Sequence, residues 1–355
     1  MSRFFSQKYS ALEAYVPGEQ PRDMKYIKLN TNESPFPPSK KTEEAVLAEA
    51  KKLNLYSDPE SYELTSLTAE LFGVGYDEIL MTNGSDEILN FAFMAFCDSE
   101  HGIAFPDITY GFYPVFAALN GIPCKEIPLK DDFTVCPDDY VGIPENVVIA
   151  NPNAPTGICL PLSEIERIVA SDKNRVVIID EAYVDFGAES AIGLIKKYDN
   201  LLVTGTFSKS RSLAGGRLGF GIGSEELIRD LKTVKYSTNP YNVNRMTSAA
   251  GIAAVRDNEY YMQNARTVIK NRAYTEEALR SLGFNVLESS ANFVFAESPD
   301  ISGEELYLSL KKKGILVRHF NKKRIENFNR ITIGTLDEMK AFVRAVEEIL
   351  KEKRK

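Results

Sequence analysis

The sequence predicts an α/β protein: a large domain with helices flanking a largely buried central sheet, followed by a smaller α+β domain. Three observations lead there. At 355 residues the chain exceeds the size at which one core stops growing, so a large unit with a smaller companion is the expected plan. Short apolar runs alternate with helical patterns through the middle, the signature of strands buried on both faces. In the last third one long helical stretch gives way to strands and helices in turn.

From the start, Pro17, Gly18 and Pro21 punctuate a segment that reads as an extended arm over 1–31. The large domain is expected over 32–250. Its strand-like runs are EILMT (78–82), VVIA (147–150), VVIIDEAY (176–183), LLVTGTF (201–207) and RLGFGIG (217–223). Ser163 and Glu166 stand at capping-box spacing, and Ile165, Ile168 and Val169 give an apolar face, which predicts a helix over 162–170. The smaller domain, 251–355, holds a helical stretch over 259–282, the strand-like ANFVFAE (291–297), a helix over 304–313, and the strands ILVRHF and RITIGT. Thr335 and Glu338 form a second capping-box pattern ahead of Met339, Phe342, Val343, Val346, Ile349 and Leu350 at helical spacing.

Composition narrows the function. Apolar residues make up 44% and charged residues 26%, ordinary globular usage. The net charge is −8 and no dense Lys/Arg tract occurs, so nucleic acid is not an expected partner. Cys97, Cys124, Cys136 and Cys159 are scattered and accompany two histidines, which suggests neither a metal site nor a disulfide framework and fits a reducing cytoplasm. No run approaches a membrane span and the N-terminal stretch lacks a signal-like apolar core, so a cytosolic protein is expected.

Four segments place polar residues at the ends of apolar strands, where α/β proteins bind ligands. TNGSDEIL (82–89) is either an Asn-Gly turn capped by Ser85 and Asp86 or a helix start whose amides receive a phosphate. NPNAPTG (151–157) is a stiff loop able to fix the Asn153 amide, or a simple strand-ending turn. In DEAY (180–183), Asp180 is a helix cap or a carboxylate in need of a cationic partner, with Tyr183 within reach of the same ligand. TFSKSRSLAGGRLGFG (206–221) sets Lys209 among small residues at a strand end, as a nucleophilic amine requires, with Thr206, Ser208 and the Arg217 fork available to a phosphate. Gly219, Gly221 and Gly223 lie within a strand-like run, not at a strand-to-helix turn, which argues against dinucleotide binding.

These four motifs, in this order, resemble the fold-type I aminotransferases that depend on pyridoxal 5'-phosphate (PLP). The chain's ends extend the likeness: LEAYVPGE (12–19), LNTNESPFPPS (29–39), VRHF (317–320) and NRITIGT (329–335) are similar to histidinol-phosphate aminotransferases. The resemblance implies a mostly parallel central sheet. It also implies that Lys209 holds the cofactor as a Schiff base and shuttles the substrate proton, and that Asp180 pairs with the ring N–H while Tyr183 meets the ring oxygen. Gly84, Ser85, Asp86, Thr206, Ser208 and Arg217 would then hold the phosphate, and Tyr110 would stack on the ring. Tyr56 would reach the neighbouring site of a homodimer.

Where relatives carry asparagine before Pro-Thr-Gly, this chain has Ala154, and Asn153 is the nearby amide that a shifted loop would offer. Tyr15, Asn32, Arg318 and Arg330 match substrate contacts, with Arg330 meeting a phosphate in one half-reaction and the carboxylate of 2-oxoglutarate or glutamate in the other. An aromatic or other amino-acid aminotransferase, a threonine-phosphate decarboxylase and a catalytically silent cofactor-binding regulator share these motifs. The retained Lys209, Asp180, Tyr183 and Arg217 argue against the last.

Overall fold

A computed structural model describes residues 2–10 and 12–354; Met1 and Ala11 of the expected arm and Lys355 of the expected small domain lie outside the described residues. In chain order the elements are β1 (Ile27–Leu29), α1 (Lys40–Ala50), α2 (Tyr62–Phe72), β2 (Ile79–Thr82), α3 (Ser85–Phe96), β3 (Ile103–Pro106), α4 (Tyr113–Asn120), β4 (Cys124–Ile127), β5 (Asn146–Ala150), α5 (Leu162–Ala170) and β6 (Val177–Asp180). There follow β7 (Leu201–Thr206), β8 (Gly219–Ile222), α6 (Glu225–Thr238), α7 (Arg245–Arg256), α8 (Asn258–Ser281), β9 (Asn285–Val286), β10 (Phe293–Glu297), α9 (Gly303–Lys312), β11 (Ile315–His319), β12 (Asn329–Thr332) and α10 (Leu336–Lys353).

Seven strands form the large sheet in the order β2-β8-β7-β6-β5-β3-β4. It is mostly parallel, with β8 alone running antiparallel to its neighbours β2 and β7. Every residue of β2, β5, β6 and β8 is buried, which is why these strands read as unbroken apolar runs and not as an alternation. Register sets Ala150 opposite Asp180 and Asp180 opposite Thr204, so β5, β6 and β7 end side by side. The loops that follow them therefore rise from one edge of the sheet, and these are the loops that carry the motifs.

The smaller sheet has the order β1-β11-β12-β10-β9, with β1 parallel to β11 and the other pairs antiparallel. Its inner face packs on α10, whose Met339, Phe342 and Val346 join Leu29, Val294 and Ile331 in one apolar cluster. The Thr335 cap forms as expected: its amide donates to Glu338 Oε2 at 2.8 Å and its hydroxyl oxygen receives the Glu338 amide at 3.3 Å.

Two expectations are corrected and one is made specific. Ser163 does not cap α5; the helix starts from Pro161, whose carbonyl accepts the amides of Glu164 and Ile165, so Ser163 already lies inside the first turn. The expected arm, read as packing with the small domain or a partner subunit, contains β1, a strand of the smaller sheet. The boundary after 250 falls inside α7, and the change of core occurs along α8, where Tyr261 packs with the large sheet and Ala265 and Val268 pack with the small one.

Candidate active site

A cavity of about 400 Å³ opens at the ends of β6 and β7 and is lined by Ser85, Asp86, Tyr110, Asp180, Tyr183, Thr206, Ser208, Lys209 and Arg217. It continues into a wider cleft, about 1000 Å³, lined by Tyr15, Asn32, Arg318 and Arg330, and Tyr110, Tyr183 and Lys209 stand on the wall between the two. Of the residues singled out in the sequence, Tyr56 and Asn153 stand apart from both linings, and Gly84 underlies the first.

One end of the cavity suits a phosphate. Gly84, not Ser85 or Asp86, caps α3, at φ 81, and the first-turn residues Ser85 and Asp86, whose amides have no partner within the helix, line the cavity. A side chain at Gly84 would run into the Arg217 guanidinium at 2.6 Å, and one at Gly219 would meet the Gly84 carbonyl carbon and the Ser85 amide at 2.4 Å. Glycine at 219 thus lets β8 press against the start of α3, which accounts for the glycine run without a dinucleotide. Arg217 donates to Asp86 Oδ2 at 2.9 Å, while the Tyr110 hydroxyl donates to Oδ1 of the same carboxylate at 2.6 Å. Thr206 and Ser208 join hydroxyls at 2.9 Å beside them.

Asp180 closes β6 and is 4% exposed. It caps no helix; its carboxylate accepts the Tyr113 hydroxyl at 2.9 Å and the Thr204 hydroxyl at 3.3 Å, and it makes no ion pair among the described residues. Burial, with a smaller push from the negative charge of Asp86, raises its carboxyl to about 6 against the pull of those two hydroxyls. A cationic N–H is the partner such a carboxylate lacks. Lys209 follows β7 and its Nζ donates to the Thr31 carbonyl at 3.3 Å, 5.7 Å from the Tyr183 ring centre.

The wider cleft gathers cations with neutral partners. Arg330 donates to the Asn30 carbonyl at 3.1 Å, its Nε has no hydrogen-bond partner among the described residues, and desolvation works against its charge. Arg318 donates to the carbonyls of Val16 and Pro17 at 3.1 and 3.3 Å, and Tyr15 stacks on Phe112 at 4.3 Å. Asn32 is placed here too, with its amide turned to the Tyr183 hydroxyl at 3.0 Å.

The expectation that Asn153 supplies a ring contact is corrected. Its Nδ2 donates to the Ile108 carbonyl at 2.9 Å and to Thr156 Oγ1 at 3.0 Å, and its Oδ1 accepts from Thr109 Oγ1 at 2.8 Å, so the amide is consumed in holding the loop. Tyr56 is 80% exposed and stacks on Tyr241 at 4.6 Å.

Sequence reasoning missed Tyr113 and Thr204, the two donors to Asp180, and Thr31, the acceptor from Lys209. Tyr113 was visible as the third residue after Tyr110; Thr204 becomes meaningful only once β6 and β7 are in register. Among the described residues no group of side chains is arranged to hold a metal ion, and no helix is long and apolar enough to cross a membrane.

The comparisons with known proteins agree with this geometry. The chain is 51% identical to the histidinol-phosphate aminotransferase of Brachyspira hyodysenteriae, over 99% of this chain and all of that protein. It is 48% identical to that of Clostridium acetobutylicum, over 99% of this chain and all of the relative. In fold it superposes on the histidinol-phosphate aminotransferase of Sinorhizobium meliloti, solved in complex with pyridoxal-5'-phosphate, with a TM-score of 0.90 at 21% identity, covering 99% of each chain. The model of the family described as aminotransferase class I and II matches residues 24–346, and the chain belongs to that family.

Proposed function

We propose that this protein is a PLP-dependent aminotransferase that moves the amino group of histidinol phosphate to 2-oxoglutarate. The observation that carries the reading is the junction of two differently built cavities on one lysine: an anion-receiving helix start with a buried carboxylate on one side of Lys209, and two arginines lacking acidic partners on the other. The residues present fit the cofactor. Asp180 lacks a cation, and Ser85 and Asp86 at the start of α3 line the cavity beside Arg217.

When bound, PLP supplies the electron sink for the carbanion left as the donor's Cα–H bond breaks. Asp180 would hold the proton on the ring nitrogen and so maintain that sink. Lys209 would hold the cofactor, and its amine, once free, would serve as the base and acid that takes up and returns the donor's Cα proton. Tyr110 would cover the ring face, and Tyr183 would donate to the ring oxygen. Arg330 and Arg318 receive the donor's phosphate; in the second half-reaction Arg330 receives a carboxylate of 2-oxoglutarate, which leaves as glutamate. The exchange is ping-pong, and Arg330 serves both substrates because its partner is a carbonyl that an anion displaces without leaving a buried charge unpaired.

The protein acts as a homodimer in the cytoplasm. Tyr56 lies outside its own cavity, exposed near Leu53 and Leu55 and stacked on Tyr241, and would reach the cofactor's phosphate in the second copy. The arm over 1–31, the large domain to about 250 and the small domain beyond it, adjusted at α8, are its working parts.

A panel of amino donors with 2-oxoglutarate tests the assignment. Histidinol phosphate should give the highest kcat/KM; a higher value for phenylalanine moves the assignment to an aromatic aminotransferase, and release of carbon dioxide from threonine phosphate moves it to a lyase.

A further inference from the structure

On the reading above, Tyr183 is the one residue left to meet the ring oxygen. Ala154 puts only a methyl group beside it, packed with Ala291 and Phe293, and the Asn153 amide is spent in its loop. The Tyr183 hydroxyl in turn has a single partner among the described residues, Asn32, whose Nδ2 donates to it at 3.0 Å. The phenol proton is therefore uncommitted.

Asn32 is 1% exposed and held at φ 57, a left-handed conformation that persists only where surroundings impose it. Here they do. Its backbone amide donates to Thr332 Oγ1 at 3.0 Å, its carbonyl accepts from Asn292 Nδ2 at 3.0 Å, and its Oδ1 accepts from the Thr332 hydroxyl at 2.9 Å. The Thr332 hydroxyl has one proton and its oxygen already receives the Asn32 amide, so that proton goes to Oδ1. This fixes which way the carboxamide faces: oxygen toward Thr332, nitrogen toward Tyr183.

An amide donating into a phenol oxygen leaves the phenol's own proton for another acceptor, and by polarising the O–H makes it a stronger donor. We propose that Asn32 is a positioning residue acting through Tyr183: it holds the phenol O–H on the cofactor's ring oxygen, in place of the side-chain amide that Ala154 does not provide. Because β12 and the strand preceding Asn32 both belong to the smaller sheet, that sheet sets how the ring oxygen is held. The proposal rests on the reading of the cavity as the PLP site.

The test is the pH midpoint of the bound cofactor's near-visible absorption band, measured on holoenzyme reconstituted with PLP. A donor on the ring oxygen favours the form in which that oxygen is negative and the link to Lys209 is unprotonated, so weakening the donor moves the midpoint up. Asn32→Gly, which tolerates the left-handed backbone, should raise it by about 0.5–1 unit, the effect of one hydrogen bond. Tyr183→Phe should raise it further, and adding Asn32→Gly to Tyr183→Phe should add nothing. Thr332→Val, which leaves the backbone of β12 intact, should shift it in the same direction by less, and carries the test if Asn32→Gly does not fold. An unmoved midpoint in the folded variants, or an Asn32→Gly shift of equal size with and without Tyr183→Phe, overturns the proposal while leaving the cofactor reading intact. A wild-type protein that takes up no PLP overturns both.

Discussion

The two halves of the active-site cleft are built on different plans. In the cofactor half the charged groups around Lys209 have side-chain partners before any ligand arrives: Arg217 with Asp86, Asp86 with Tyr110, Asp180 with Tyr113 and Thr204. In the substrate half, Arg318 and Arg330 rest on backbone carbonyls of residues 16, 17 and 30. Side-chain networks hold geometry, whereas arginines on carbonyls keep their charge open to an incoming anion. The first half is preorganised for one permanent occupant, and the second for occupants that must leave.

The comparison breaks first at the lysine shared by both halves. Lys209→Ala should lower kcat by about 10³-fold or more and abolish covalent retention of PLP after borohydride reduction, read by mass spectrometry. Retention without Lys209 would remove the centre of the scheme.

Next comes the buried carboxylate. Asp180→Asn should lower kcat by about 10²–10³-fold, the cost of losing one partner of a buried charge pair. Its pH signature has a definite sign. In the cofactor-free protein the raised carboxyl contributes stability below the ordinary carboxylate range, and that contribution is lost as pH rises through about 6. A cationic ring nitrogen reverses the preference, so the stabilisation on PLP binding, read from the rise in Tm, should be larger near about pH 8 than near about pH 5, by on the order of 1 kcal/mol. In Asp180→Asn that difference should flatten.

A smaller effect separates the halves directly. Arg217→Ala should weaken PLP binding by about 10–100-fold with little change in donor preference, whereas Arg330→Ala should leave PLP binding nearly intact and raise KM for both substrates by a similar factor. Equal effects of the two variants on PLP affinity would erase the distinction. The mildest change is Arg318→Ala, which should raise KM for the phosphorylated donor by about 10-fold or less and leave 2-oxoglutarate almost untouched, since Arg318 is partly exposed and its donors already have carbonyl partners.

The same contrast decided what could be read in advance. The cofactor half comes from four short stretches at strand ends, so Lys209, Asp180 and Arg217 announced themselves by position relative to apolar runs. The substrate half is assembled from residues 15–18, 30–33 and 318–330, and their meeting depends on β1 pairing with β11, a contact that no local pattern encodes. Asn153 misled for a related reason: an amide in a stiff loop looks available until its own loop is seen to take all of it. Asn32, expected at the substrate from the resemblance, does line the wider cleft, but the Thr332 hydroxyl that turns its amide to Tyr183 is 300 residues away in sequence.

That β1 pairing also bears on the order of folding during synthesis. Ile27 aligns with Ile315, so a segment translated among the first must wait for one translated near the end before its sheet can form. The seven-stranded sheet is complete in sequence by Ile222, well before that. On the ribosome the phosphate-receiving wall can assemble first, while Thr31 and Asn32, with nothing yet to anchor them, leave Lys209 and Tyr183 unroofed until the last strands emerge.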